Sequence, residues 1–154
     1  MEKIGIIGSG TWGTAIAVLL VNNGHEVTLW SAIPAEIEEM AKTRTHKNLP
    51  GVTLPEGIIY TADLEEAMKD KNLLVMAVPS VFVRSTAQKM KPFCKEGQLI
   101  VDVAKGIEEN TLDTMTQIIK EELPMAETAV LSGPSHAEEV RRGLPTLCVA
   151  GSHK

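Results

Sequence analysis

Short unbroken apolar runs alternate along this chain with longer segments in which apolar residues recur every three or four positions. The first pattern, bounded by turn residues, predicts buried strands; the second predicts helices with one apolar face. Lys3–Gly8 is the first such run. Thr11–Asn23 follows as a helix with Ala15, Ile16, Leu19 and Leu20 on one face, and Gly24 is placed for a left-handed cap. Glu26–Trp30 reads as a second strand. Pro34 opens a second helix, because proline is tolerated in a first turn, and Ile37, Met40 and Ala41 form its apolar face. Arg44–Gly57 is a loop broken by Pro50-Gly51 and Pro55-Glu56-Gly57.

The alternation continues to the end. Ile58–Thr61 is a short strand, and Asp63–Lys69 a helix that Asp63 caps. Leu73–Val78 is an apolar strand stopped by Pro79, and Val81–Met90 a helix ending before Pro92. Gln98–Val103, Thr128–Leu131 and Thr146–Ala150 are further strands, with a helix over Thr111–Leu123 between the first two. Ser135–Arg142 is a short helix in which Ser135 is the N-cap and Glu138 completes a capping box. Strands alternating with helices give an α/β fold: a doubly wound, mostly parallel sheet with helices on both faces and right-handed crossovers. The pattern leaves open whether the last strand runs parallel or antiparallel. No repeat, low-complexity segment or linker divides the chain, so residues 1–154 form one domain.

Composition narrows the function classes. Aromatic residues are only 3% of the chain, so the core is aliphatic. A net charge of −5, with no basic stripe, argues against nucleic acid. No apolar run approaches the roughly 18 residues a membrane helix needs. The first strand begins at Lys3, leaving no room for a signal peptide, so a cytoplasmic protein is expected. Cys94 and Cys148 then read as free, partly buried thiols. His25, His46, His136 and His153 lie at no ligand spacing, so no metal is expected.

Gly8-Ser9-Gly10-Thr11-Trp12-Gly13 carries the chemistry. It matches G-x-G-x-x-G between a strand and a helix, as a Rossmann-type dinucleotide site requires. Gly8 permits the tight turn, Gly10 lets a pyrophosphate approach the backbone, and Gly13 allows the helix to pack on the strand. The helix N-terminus offers N–H groups and a favourable dipole to the anion. An acid for the ribose 2′-OH is expected after the second strand. Ser31-Ala32-Ile33 stands there instead, with Ser31 as the one hydrogen-bonding side chain, so NAD and NADP both remain open.

Three more segments reach the carboxyl edge of the sheet, where ligands bind. Val78-Pro79-Ser80 ends the fourth strand, with Pro79 either a plain strand stop or a cofactor neighbour. In Val103-Ala104-Lys105-Gly106-Ile107-Glu108, the Lys105 ammonium is placed to polarise a carbonyl or pair with an anionic substrate. Leu131-Ser132-Gly133-Pro134-Ser135-His136-Ala137-Glu138 is a strand–turn–helix junction that again presents N–H groups and a hydroxyl. His136 reads as a solvated first-turn residue or an acid–base group.

Taken together, these motifs resemble the N-terminal domain of bacterial-type NAD(P)-dependent glycerol-3-phosphate dehydrogenase. The resemblance spans essentially the whole chain. It rests on the glycine motif with Thr14-Ala15, on Val27-Thr28-Leu29-Trp30, Leu49-Pro50-Gly51 and Ala77-Val78-Pro79-Ser80, and above all on Lys105-Gly106-Ile107-Glu108 and Leu131 through Val140. It implies an oxidoreductase that interconverts dihydroxyacetone phosphate and sn-glycerol 3-phosphate with NAD or NADP, supplying phospholipid synthesis. By resemblance, Thr11, Trp12, Phe82 and Ala137 contact cofactor; Gly8, Ser9, Gly10, Gly13, Ser31 and Pro79 complete the expected cofactor site from the motif and the sheet edge. Lys105 is shared between cofactor and substrate, and Gly133 and Ser135 contact substrate. His or Arg often follows the strand-two Trp in this family, whereas Ala32 and Ile33 stand here.

The resemblance also implies a general-acid lysine, most of the substrate pocket and a homodimer interface in a helical C-terminal domain beyond Lys154. A truncated chain that binds dinucleotide with little or no turnover is therefore expected. Two alternatives compete: the N-terminal domain of another hydroxyacid or sugar-acid dehydrogenase, such as the 3-hydroxyacyl or 6-phosphogluconate type, and a dinucleotide-sensing module without catalysis.

Overall fold

A computed structural model describes residues 1–152; His153 and Lys154 lie outside the described residues. Seven strands form one sheet: β1 (Lys3–Ile7), β2 (Glu26–Trp30), β3 (Ile58–Thr61), β4 (Leu73–Met76), β5 (Leu99–Asp102), β6 (Glu127–Ser132) and β7 (Val149–Ser152). Their order is β3-β2-β1-β4-β5-β6-β7. All neighbours are parallel except β6 and β7. The chain winds outward in one direction to β3, then returns to build the other half from β4. The order therefore reverses between β1 and β4, where a crevice opens at the carboxyl edge. The register places Ile7 beside both Trp30 and Met76, and Met76 beside Asp102. The loops after β1, β2, β4 and β5 consequently emerge side by side.

Helices α1 (Thr11–Asn22), α2 (Pro34–Thr43), α3 (Leu64–Met68), α4 (Val83–Met90), α5 (Met115–Glu122) and α6 (Ala137–Arg141) connect the strands. Two apolar clusters lie against the sheet. Ile4 and Ile6 of β1 join Val27, Leu29, Ile16, Ala17 and Ile37 in one. Ile7 joins Leu74, Met76, Val83, Ala87 and Ile118 in the other. Successive β1 side chains thus serve opposite layers, as the two-residue strand period demands, and a strand buried on both faces must be apolar throughout. Fully burying one such isoleucine contributes about 2 kcal/mol.

Several boundaries differ from expectation for local reasons. Asp63 caps α3 as expected, accepting from the Glu65 and Glu66 N–H groups, and Gly24 is left-handed with φ 85°. The helix expected from Thr111 begins at Met115, because Thr114 and Gln117 form the capping box. Leu112, at φ 63°, turns the chain before that start. Ser80–Phe82 is a separate 3₁₀ turn ahead of α4. Ser135 is not the cap of α6: its N–H is held by the Gly133 carbonyl at 2.8 Å, and the helix begins one residue later, with His136 as a cap that makes no side-chain bond. The expected capping box is absent, and Glu138 pairs with Arg141 at 3.1 Å instead. The last strand begins at Val149, not Thr146, whose hydroxyl bonds Glu139, and it runs antiparallel to β6. Cys94 is half-buried, whereas Cys148 is exposed rather than partly buried. Among the described residues, no helix is long and apolar enough to cross a membrane.

Candidate functional site

The turn between β1 and α1 lies at the crevice. Gly8 has φ 124°, and a Cβ there would lie 2.6 Å from the Ala77 carbonyl carbon. A Cβ on Gly13 would collide with the Gly8 carbonyl oxygen. These two glycines let the turn, α1 and β4 approach one another. Gly10 differs: a Cβ there would meet nothing within 4 Å. Its lack of a side chain serves no packing inside the chain and leaves the space outside it clear. Gly10 is also the N-cap of a twelve-residue helix that has no side-chain cap bond and no acid in its first turn. The positive end of the dipole faces that space uncompensated.

Two hollows flank the turn. One, of about 370 Å³, is lined by Thr11, Trp12, Lys105, Ser135, His136 and Ala137, among others. The other, of about 410 Å³, is lined by Gly8, Ser9, Ser31, Glu36, Phe82 and Lys89, among others. Gly10, Val78 and Pro79 line both, so the hollows adjoin at the glycine turn. Such a shape fits an elongated ligand with two ring-bearing halves joined by a central anion. A dinucleotide is a ligand of that kind.

Lys105 stands after β5 at the first hollow. Its ammonium donates to the Gly133 carbonyl at 3.1 Å and the Ser135 carbonyl at 3.0 Å. It also lies 5.9 Å from the Trp12 ring centroid, in cation–π range. One cation thus ties together three of the segments singled out in the sequence. Its loop is anchored from behind. The Arg84 guanidinium meets Glu108 through two 2.7 Å bonds and also reaches Glu121 and Glu122. Hydrogen bonds from Arg84, and then Thr111, hold the Glu108 carboxyl down at about 2. Those carboxylates in turn raise the pKa of Arg84.

Eleven of the thirteen residues assigned by motif or resemblance line one hollow or the other. The remaining two, Gly13 and Gly133, act beside them: Gly13 packs beneath the turn, and the Gly133 carbonyl receives Lys105. Ser31 is buried, and its hydroxyl oxygen accepts the Ile33 N–H at 3.1 Å, which shapes the turn after β2. Phe82 stays 56% exposed at the mouth of its hollow. His136 is exposed at the rim of the other.

Four residues beside the site escaped the sequence reading. Glu36, in the first turn of α2, lines the second hollow. Arg84 holds the Lys105 loop. Asp102 ends β5, is 2% exposed, and is pushed up to about 6 by burial, against hydrogen bonds from the Ala104 N–H and the Thr116 hydroxyl. His46 is buried and contacts the Ser9 carbonyl at 3.0 Å. Glu36 had a legible signal, an acid shortly after β2; the others depend on partners remote in sequence. Among the described residues, no three His, Cys, Asp or Glu side chains cluster as metal ligands.

Comparison with known proteins adds a second line of evidence. The family model of the NAD-dependent glycerol-3-phosphate dehydrogenase N-terminus matches residues 3–154. A glycerol-3-phosphate dehydrogenase [NAD(P)+] of Agathobacter rectalis is 57% identical over 153 residues, covering 99% of this chain and 46% of the relative. Its counterpart in Fusobacterium nucleatum is 53% identical over 156 residues, covering 99% and 47%. The chain therefore spans about half the length of these relatives. The crystal structure of glycerol-3-phosphate dehydrogenase from Coxiella burnetii superposes with a TM-score of 0.92 at 30% identity, covering 99% of this chain and 47% of that one. A GDP-mannose dehydrogenase from Pseudomonas aeruginosa, at 15% identity and a TM-score of 0.75, covers 97% of this chain and 41% of its own; it shares the fold alone.

Proposed function

We propose, from the fact that this chain belongs to the NAD-dependent glycerol-3-phosphate dehydrogenase N-terminal family, that residues 1–154 are the cofactor-binding half of an enzyme interconverting dihydroxyacetone phosphate and sn-glycerol 3-phosphate. The observation that carries this reading is Gly10: it opens onto clear space at an uncapped helix N-terminus, where two hollows meet. The Gly8–Gly13 turn would hold the pyrophosphate of NAD or NADP. Ser31 and Phe82 belong to one half of the cofactor site, and Thr11, Trp12 and Ala137 to the other, with Pro79 between. When bound, the cofactor supplies the hydride.

The chain's own residues bind and orient. Lys105 concentrates positive charge beside Trp12, which favours a phosphate-bearing substrate and stabilises charge developing on a ketone oxygen. Gly133 and Ser135 form the substrate side with it. The proton for the resulting alkoxide comes, in this reading, from a lysine in a C-terminal helical domain beyond Lys154, which also supplies the homodimer contacts. In this reading the enzyme is cytoplasmic, serves phospholipid supply and acts on a small phosphate; the net charge of −5 argues against nucleic acid as a partner.

Calorimetric titration of NADH and NADPH into the purified chain tests the reading, with Gly10→Val as control. Binding that the variant abolishes is expected, with little or no turnover of dihydroxyacetone phosphate by this chain. A folded chain that binds neither nucleotide sinks the reading.

A further inference from the structure

His46 lies in the loop between α2 and β3, 37 residues from the glycine turn in sequence. It is 4% exposed. Its Nδ1 accepts the Asn48 N–H at 3.1 Å. A ring nitrogen that accepts carries no proton, so in the neutral ring the proton is on Nε2. Nε2 therefore donates to the Ser9 carbonyl at 3.0 Å. The same carbonyl receives the hydroxyl of the fully buried Thr14 at 3.1 Å. Two donors thus fix the direction of one peptide plane in the middle of the turn.

The peptide concerned joins Ser9 to Gly10. It is trans, as the chain has no cis bonds among the described residues. In a trans peptide the C=O and N–H point in opposite directions. Holding the Ser9 carbonyl inward aims the Gly10 N–H outward, toward the space that both hollows share. The loop behind His46 is itself well anchored. The Leu49 N–H donates to the His46 carbonyl at 2.9 Å, and the Arg141 guanidinium of α6 reaches the Pro50 carbonyl at 2.6 Å. Leu49 and Leu54 are buried at 2% and 0% exposure.

We infer that His46 is a positioning residue for dinucleotide binding: through the Ser9 carbonyl it pre-aims the Gly10 N–H at the pyrophosphate. The inference rests on the dinucleotide reading above. A donor on Nε2 acts on the ligand without touching it, by sparing the turn the cost of reorienting a peptide when the anion arrives.

The test compares wild type, His46→Ala and His46→Gln, whose side-chain amide carries an N–H at about the reach of Nε2. NADH affinity is measured by calorimetry, and the Gly10 amide resonance by NMR without ligand. His46→Ala is expected to weaken NADH about tenfold and to shift the Gly10 amide while leaving that of Gly24 in place. His46→Gln is expected to restore most of both. A His46→Ala variant that binds NADH within about twofold of wild type overturns the inference. So does a folded His46→Gln that fails to move either readout back. Wild type that binds neither NADH nor NADPH removes the dinucleotide reading itself, and the inference with it, an outcome distinct from the other two.

Discussion

Lys105 reaches from the loop after β5 to the Ser135 carbonyl ahead of α6, at 3.0 Å. Ser135 does not cap its helix: its carbonyl accepts from Lys105, its N–H donates to the Gly133 carbonyl at 2.8 Å, and His136 is the N-cap. The bond from Lys105 makes that residue a structural tie as well as a charge. Lys105→Met keeps the apolar stem and removes the donors. The expected cost is about 1 kcal/mol of stability, with faster amide exchange in residues 133–138. Unchanged exchange there, measured by mass spectrometry, contradicts the tie.

Gly10 and Gly13 stand three residues apart and are expected to fail in opposite ways. Gly10→Ala places its Cβ in clear space with φ −65°, a conformation open to any residue. The fold should keep its melting temperature while NADH affinity drops at least about tenfold, because the added methyl occupies the anion's approach. Gly13→Ala drives a Cβ into the Gly8 carbonyl, and such overpacking costs about 1–3 kcal/mol. Equal destabilisation by the two variants would show that the clear space beside Gly10 has another purpose.

Arg84 is the anchor of the Lys105 loop, and its fork is what a lysine lacks. In Arg84→Lys the Glu108 carboxyl loses its two-point partner. Its midpoint is expected to rise from about 2 toward the ordinary carboxylate range, followed by carbon NMR of the side chain. A midpoint that stays put means that Thr111 and the surrounding field hold Glu108 without the fork.

The features legible in the sequence were those whose cause is local. Ile4, Ile6 and Ile7 announce a two-faced strand, Asp63 a cap, and Gly8 with Gly13 a close approach, because each depends on a few neighbouring residues. Lys105 and the Gly133–Ser135 segment were legible as a cation and a strand–turn–helix junction at the carboxyl edge of the sheet; the resemblance implied their substrate roles, and the Lys105 hydrogen bonds join them. What stayed hidden was tertiary. His46 looked like one of four scattered histidines because its partner, Ser9, is 37 residues away. Asp102, inside the strand expected over Gln98–Val103, drew no notice because its raised pKa depends on burial that the tertiary fold supplies. Ser135 and Glu138 fit a capping box by spacing, yet the helix starts one residue later and Glu138 pairs with Arg141 instead.

Asp102 has a pH consequence. Burial raises its carboxyl from 3.8 to about 6 in the folded chain. Between those values the native state keeps a proton that the unfolded state has released, so stability falls as pH rises through the window. The loss amounts to about 2–3 kcal/mol once the pH exceeds 6. Asp102→Asn stays neutral and can still accept the Ala104 N–H. Chemical denaturation should find it more stable than wild type at pH 7.5 and about equal near pH 4. A wild-type stability that is flat from pH 4 to 6.5, or an Asn variant that is weaker at pH 7.5, contradicts this account.

Glu36 bears on the choice between NADH and NADPH. The residues following β2 are Ser31, Ala32 and Ile33, none of them basic. Glu36 lines the same hollow from the first turn of α2, just after β2, which is where a Rossmann fold places the acid that reads a ribose 2′-hydroxyl. A carboxylate accepts a hydrogen bond from that hydroxyl and repels a 2′-phosphate. Two cations weigh against it. Lys47 lies 3.7 Å from Glu36, though its side chain is 75% exposed and its charge is well screened. Lys89 lines the hollow from α4. The acid sits on the β2 side and Lys89 across from it, so NADH is expected to bind more tightly than NADPH. Glu36→Gln should narrow the ratio of dissociation constants by about tenfold, chiefly by strengthening NADPH. Lys89→Met should widen it by weakening NADPH. If NADPH binds more tightly to wild type, and Lys89→Met abolishes that advantage while Glu36→Gln leaves it alone, then Lys89 and not Glu36 sets the preference.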